Sequence, residues 1–281
     1  MTLRRYLRTP KGLLLVVLLT LTAVSARVEG VRFVAPGVLG AVGAAVLLDS
    51  LIVRGRRGRW GLPDGAVLTG LLVGGILSSF EPWYVAAAAA AVGIAAKHVV
   101  RVGRANVFNP AALGLVVVFH LFDTAQNWWG AMPAIVPSAA WPLLLASGLL
   151  VAHRVNRLPL LLAFTGTFFA LCTVAAFLVD PADLAEVFVA PDLLAIVYFA
   201  CFMLTDPPTS PGRGRPQLLA GALVALVSVV VFLRMAAADY LLAGVLAGNV
   251  FEALRRRMQG RAVAVPLVPP SGHQARVFDA D

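Results

Sequence analysis

The sequence predicts an all-α, polytopic membrane protein of about ten transmembrane helices, arranged as two inverted five-helix repeats. Three observations carry that prediction. Of 281 residues, 60% are hydrophobic and only 13% are charged, where soluble domains carry roughly a quarter charged residues. Apolar runs recur along the whole chain instead of gathering into one core. The charges between those runs alternate in sign preference from one connection to the next. Together these argue against a soluble enzyme. The net charge of +9 reads as a topology signal and not as a nucleic-acid surface, because the basic residues sit in short clusters between apolar runs.

Ten apolar segments are expected in order: Leu13 to Ala26, Phe33 to Val53, Ala66 to Phe80, Trp83 to Val99, Pro110 to Phe122, Ala140 to Ala152, Leu160 to Val179, Leu193 to Thr205, Gln217 to Leu233 and Tyr240 to Leu254. A full span needs about 20 apolar residues, so several are short. Short segments beside polar motifs suit broken helices that end against protein or water within a bundle. The resulting organisation is a tail over 1–12, a first five-helix repeat over 13–122, an outer loop over 123–139, a second repeat over 140–254, and a disordered tail over 255–281.

The charges fix an expected orientation. One set of connections carries Arg4, Arg5, Arg8 and Lys11, then Arg54, Arg56, Arg57 and Arg59, then Lys97, Arg101 and Arg104, then Arg154 and Arg157, then Arg213 and Arg215, then Arg255, Arg256, Arg257 and Arg261. The other set holds Arg27, Glu29 and Arg32, then Glu81, Asp123, Asp180, Asp183 and Glu186, and finally Arg234 and Asp239. Basic loops stay inside, so both termini are expected in the cytoplasm and the chain in the cell inner membrane. The first segment also fits a cleavable signal peptide ending at Val24-Ser25-Ala26, although its removal would spoil the ten-span parity. Two sets of five spans run in opposite senses. Pro63-Asp64 opening the third segment and Pro191-Asp192 opening the eighth hint at the repeat, though both are also ordinary helix-start chemistry.

Three polar stretches interrupt the apolar sequence: Leu62 to Leu72, Lys97 to Gly114 and Phe202 to Pro211. Asn109-Pro110 reads as a helix start, with Asn as cap and Pro in the first turn. Thr205-Asp206-Pro207 reads as a helix end and a turn. The functional alternative is that Asn109, Thr205 and Asp206, with exposed backbone NH groups, hold a polar ligand inside the bundle. Asp49, Asp64, Lys97, His98, His120, Asp206 and Asp239 border or enter apolar segments and should face protein or a cavity. Lys97 is expected to snorkel to the basic face, and His120 to be a hydrogen-bonded surface histidine. Trp128 and Trp129 read as interfacial anchors, with stacking on a ring ligand as the alternative. Cys172 and Cys201 lie in apolar runs with no CxxC, so no metal or iron–sulfur site is expected. No GxGxxG or P-loop follows a strand pattern, so nucleotide binding has no support.

FNPAALG at Phe108 to Gly114, DGAVLTGLL at Asp64 to Leu72, FMLTDPPTSP at Phe202 to Pro211 and ADYLLAGVLAGN at Ala238 to Asn249 together resemble the NqrB/RnfD family. The resemblance implies a membrane component of a flavin-dependent, ion-translocating oxidoreductase, on a ten-helix inverted-repeat fold similar to urea transporters. It also implies FMN esterified to a threonine after the fifth helix. Trp141, within Ser138-Ala139-Ala140-Trp141-Pro142-Leu143, stands where that threonine should be. An indole has no hydroxyl to esterify, and Ser138 is three residues displaced, so no covalent FMN is expected.

The expected function is therefore a subunit that holds a flavin, FMN or riboflavin, non-covalently and contributes to electron-coupled Na+ or H+ translocation. Thr69, Asn109, Thr205 and Asp206 are the candidate cofactor contacts, and Asp64 and Lys97 the candidate ion-path residues. It is a translocase component that is not catalytic alone. Other membrane and cytoplasmic redox subunits are the implied partners, with quinone a further candidate. The alternative is a flavin-free solute transporter or channel on the same scaffold.

Overall fold

A computed structural model of the chain describes residues 3–58, 60–103, 105–135, 137–178, 184–235 and 238–264. Arg59, Arg104, Asp180, Asp183 and Arg261, counted above for orientation, give no side-chain contact here, since Arg59, Arg104, Asp180 and Asp183 lie outside those residues and the Arg261 side chain is likewise undescribed. A short helix α1 (Leu3–Leu7) precedes α2 (Pro10–Glu29), α3 (Val31–Arg57), α4 (Asp64–Ile76) and α5 (Trp83–Val99). A two-stranded antiparallel ribbon, β1 (Arg101–Val102) and β2 (Ala105–Asn106), leads to α6 (Pro110–Phe122). Then come α7 (Pro137–Arg154), α8 (Leu158–Ala176), α9 (Asp192–Tyr198), α10 (Arg215–Met235) and α11 (Tyr240–Ala264). The fold is an all-α membrane protein. Helices α2, α3, α8 and α10 are long and apolar enough to cross a bilayer, while α4, α5, α6 and the segment Asp192–Met203 are shorter apolar helices.

Each of the ten expected segments meets one helix from α2 to α11. The boundaries move where local chemistry dictates. The third segment starts two residues early, at Asp64 directly after Pro63, where the Asp64 carboxylate accepts from Gly65 N at 2.7 Å, and it stops at Ile76. The eighth begins at Asp192 and passes into a π-helix over Phe199–Met203, a widened turn often found where a helix is adapted to a function. The last helix continues past Leu254 to Ala264, so the expected disordered tail is helical over its first part. Residues 265–281 lie outside the described residues.

Packing repeats between the halves. In the first, α3 lies along α5 and α4, and α5 along α6; in the second, α8 lies along α10, and α10 along α11. Each member stands five places from its counterpart in helix order, the offset expected of two inverted five-helix repeats. Glycines set the closest contacts in both halves. A Cβ at Gly93 would strike the Pro110 carbonyl, and one at Gly114 the Ala89 carbonyl, where α5 meets α6. At the corresponding α10–α11 contact, Gly244 abuts Ser228 and Gly248 abuts Val224. Helices without a hydrophobic drive to associate in lipid gain from such backbone approach.

The loop after α6 overturns one expectation. Trp128 and Trp129 are 7% and 1% exposed, so they are core residues and not anchors at a membrane surface. The loop folds back into the bundle because the end of α4 offers it a backbone edge. Gln126 bridges Leu77 in antiparallel fashion, Ser78 N donates to Ala125 O at 2.9 Å, and Trp128 N donates to Ile76 O at 3.2 Å. The Trp128 ring meets Tyr198 and Phe199 edge-on, at 6.4 and 6.5 Å between centroids.

Candidate functional site

The three polar stretches converge. They wall a cavity of about 700 Å³ at the end of the bundle where the basic connections lie, within the size range of small-molecule and cofactor sites. Asp64, Gly65, Leu68, Thr69 and Leu72 come from α4. Lys97, Asn106, Asn109 and Pro110 come from the α5–α6 connection. Phe202, Asp206 and Pro207 come from the turn after α9. Both halves thus contribute. Five of the six residues singled out from sequence, namely Asp64, Thr69, Lys97, Asn109 and Asp206, line this one space.

Each polar group has a local reason for its position. Asn109 is 2% exposed and caps α6, its Oδ1 accepting from Ala112 N at 3.1 Å. Its own backbone N donates to Oδ1 of Asn249 at 2.8 Å, and Asn249 Nδ2 donates to the Thr209 carbonyl at 3.2 Å. The helix-cap reading holds: the cap fixes the side chain, and the residue borders the cavity. Thr69 donates to Gly65 O at 2.9 Å, one turn back. Thr205 departs from expectation. Its hydroxyl donates to the Cys201 carbonyl at 2.5 Å, and it stands behind the cavity wall, 2% exposed. A threonine at the end of a helix satisfies its hydroxyl on the preceding turn more cheaply than by reaching out.

Asp206 receives a hydrogen bond from Thr209 Oγ1 at 2.9 Å. Burial in the turn pushes its carboxyl up to about 6, against the lowering effect of Thr209 and the nearby Lys11, Arg157 and Lys97. The turn itself is held from behind. Arg157, 7% exposed, donates to Ser210 Oγ at 2.8 Å and to the Gly212 carbonyl at 2.8 Å. Burial lowers its pKa, with Asp206 and Glu252 opposing. Arg256 reaches the Pro208 carbonyl at 2.6 Å and pairs with Glu252, as does Arg255. These cations read in sequence as orientation markers; in the fold they also brace the turn.

Lys97 corrects another expectation. It does not snorkel free: its Nζ lies 3.0 Å from Oδ1 of Asp49, and His98 Nε2 lies 2.7 Å from that same oxygen. Asp49 is 6% exposed, and a buried carboxylate needs such partners. His120 is exposed and pairs with Asp239 at 3.3 Å, as a surface histidine should. Cys172 and Cys201 are buried free thiols, and no metal-binding cluster occurs among the described residues. Trp141 packs against the hydrophobic core.

Sequence reasoning missed the N-terminal contribution. Tyr6, Thr9, Pro10, Lys11 and Leu14 also line the cavity. Lys11 Nζ sits 3.3 Å from Asp64 Oδ2, and the buried Tyr6 hydroxyl has no hydrogen-bond partner. Basic residues in a tail carry a topology signal that hides any second role. The Lys11–Asp64 pair is visible only once α2 lies beside α4.

Among known families, a model described as the NQR2, RnfD, RnfE family matches residues 4–139, which takes in the first repeat and the loop after α6, and ends two residues before Trp141. No curated protein matches the chain. The matched part, just under half of the chain, contains the DGAVLTGLL and FNPAALG stretches that wall the cavity, and over it this all-α membrane chain is similar to the NQR2, RnfD, RnfE family of membrane subunits.

Proposed function

We propose that the cavity holds a flavin, FMN or riboflavin, without a covalent bond, and that the chain contributes to electron-coupled Na+ or H+ translocation within a multi-subunit complex. The observation that carries this reading is the meeting of Asp64, Thr69, Lys97, Asn109 and Asp206 in one cavity between the halves. The residues fit such a group. Leu14, Leu68, Leu72 and Phe202 offer apolar walls to a ring system, and Asn109 and Thr69 border it with fixed polar groups. A bound flavin would supply one- and two-electron chemistry, and the chain would supply orientation and electrostatics. Thr205 supports the wall from behind. Asp64 and Lys97, each in an ion pair at the cavity edge, are the ion-path candidates.

Redox partners on the membrane and on the cytoplasmic side follow from the chain's chemistry, since it has no cysteine cluster to accept electrons by itself. Quinone is a second candidate for the apolar part of the cavity. The charge alternation supports an inner-membrane protein with both termini in the cytoplasm, which puts the cavity mouth on the cytoplasmic side. Trp141 favours the other reading, a flavin-free solute transporter on the same scaffold, because the attachment chemistry of the resemblance is gone.

A visible spectrum of the purified chain, recorded before and after acid precipitation, decides between them. Flavin absorbance released to the supernatant is the expected result, and Asn109→Ala together with Asp206→Ala should reduce flavin occupancy. Flavin retained on the pellet would contradict the non-covalent assignment. Absence of flavin from both native membranes and the purified chain would leave the transporter.

A further inference from the structure

We propose that Asp49, Lys97 and His98 form a proton-loading unit for the cavity: when negative charge arrives beside Lys97, His98 takes up one proton from the water at the basic end. The proposal rests on the flavin reading only for the source of that negative charge.

The geometry is unusual in one respect. A single oxygen, Asp49 Oδ1, serves both Lys97 Nζ at 3.0 Å and His98 Nε2 at 2.7 Å. The two neighbours therefore share one buried carboxylate. Of the two, Lys97 is the one that reaches the cavity; a Cβ at Gly65 would lie 3.4 Å from its Nζ. A negative charge in the cavity attracts Lys97 and weakens its hold on Asp49. A buried carboxylate is costly without a cation, and His98 is the remaining group able to become one near neutral pH. In its neutral form His98 donates from Nε2 to Asp49, so the incoming proton binds Nδ1 and imidazole becomes imidazolium.

Other charges around His98 do not perform this role. Arg56 of α3 donates to the His98 backbone carbonyl at 3.3 Å and keeps its charge throughout. Asp64 on α4 is held by Lys11. Arg101 follows in the ribbon, and α6 carries no charged residue in its first turns. Arginine stays protonated in any accessible range, which leaves His98 as the titrating member.

Two measurements test this. In the first, the flavin-loaded chain is reduced with dithionite near neutral pH in weakly buffered detergent, and protons are counted with an indicator dye. The two electrons and the flavin's own protons go to the flavin, and one extra proton goes to His98. Wild type should take up about one proton more per flavin than His98→Gln, in which the amide still donates to Asp49 but cannot be protonated. Equal counts would overturn the proposal.

The second needs no flavin. Histidine titrations are followed by 15N NMR, with His98→Gln identifying the signal among four histidines. In Lys97→Met, which removes the lysine charge from Asp49, a larger share of His98 should carry both ring protons at a fixed, near-neutral pH than in wild type. An unchanged share would also overturn the proposal. A chain that carries no flavin would fail the cofactor reading while this titration still decides the triad.

Discussion

Asp206 shows most directly how one residue joins the fold to the site. Its carboxyl is drawn up to about 6 by burial, so the folded state favours the neutral form. For a carboxylate raised in this way, the penalty is full above the folded value and is relieved as pH falls through it toward the unfolded one. Wild type should therefore gain stability relative to Asp206→Asn as pH drops from about 7 to about 5. Thermal unfolding in detergent measures the difference; parallel curves for the two proteins would show that Asp206 carries no such penalty. A negatively charged ligand in the cavity should bind better over the same interval, as the like charge disappears. That Asn109 and Asp206 stand at polar helix ends was legible in sequence, because Asn or Asp beside Pro at the border of an apolar run marks a helix start or a turn. The role of Asn249 was not. It lies 140 residues from Asn109, and only the assembled halves bring its amide against both the α6 cap and the Thr209 carbonyl.

At the scale of helices, the segments themselves were plain in the sequence because hydropathy in lipid is a strong constraint. One end was plain where Asn109 stood to open α6; the other was missed, since Thr9, whose Oγ1 accepts from Gly12 N at 3.1 Å, opens α2 at Pro10, three residues before the expected Leu13. What sequence could not show was the in-folded loop. Paired tryptophans next to a helix end are typical of a membrane surface, and only the free backbone edge at Leu77 and Ser78 turns them inward. The α5–α6 contact offers a sharper check. Gly93→Val would drive a branched side chain into the Pro110 carbonyl, and overpacking of this kind costs roughly 1–3 kcal/mol or more. Because Pro110 belongs to the cavity wall, ligand content should fall along with the melting temperature. Gly166→Ala in α8 serves as the control, since no atom lies within 4 Å of the added Cβ. There helix propensity should stabilise by up to about 1 kcal/mol. Similar melting of the two variants would count against the close approach.

The whole molecule rests on parity. Apolar segments suggested ten spans and the charges between them alternated accordingly, and the packing of α3 on α5 is answered by that of α8 on α10. Reporter fusions after Arg56 and after Arg154 should report one side of the bilayer, and a fusion after Asp123 the other. Agreement between Arg56 and Asp123 would break the ten-span arrangement. The placement of the cavity then has a consequence for how the protein matures. Its walls come from the N-terminal segment and from the same end as the basic turns, while the attachment position that Trp141 fills lies beyond the far end of α6. With the basic end in the cytoplasm, as proposed, a small molecule settling between Lys11 and Asp206 would never have to be exported, and its site would be complete where the polypeptide is made.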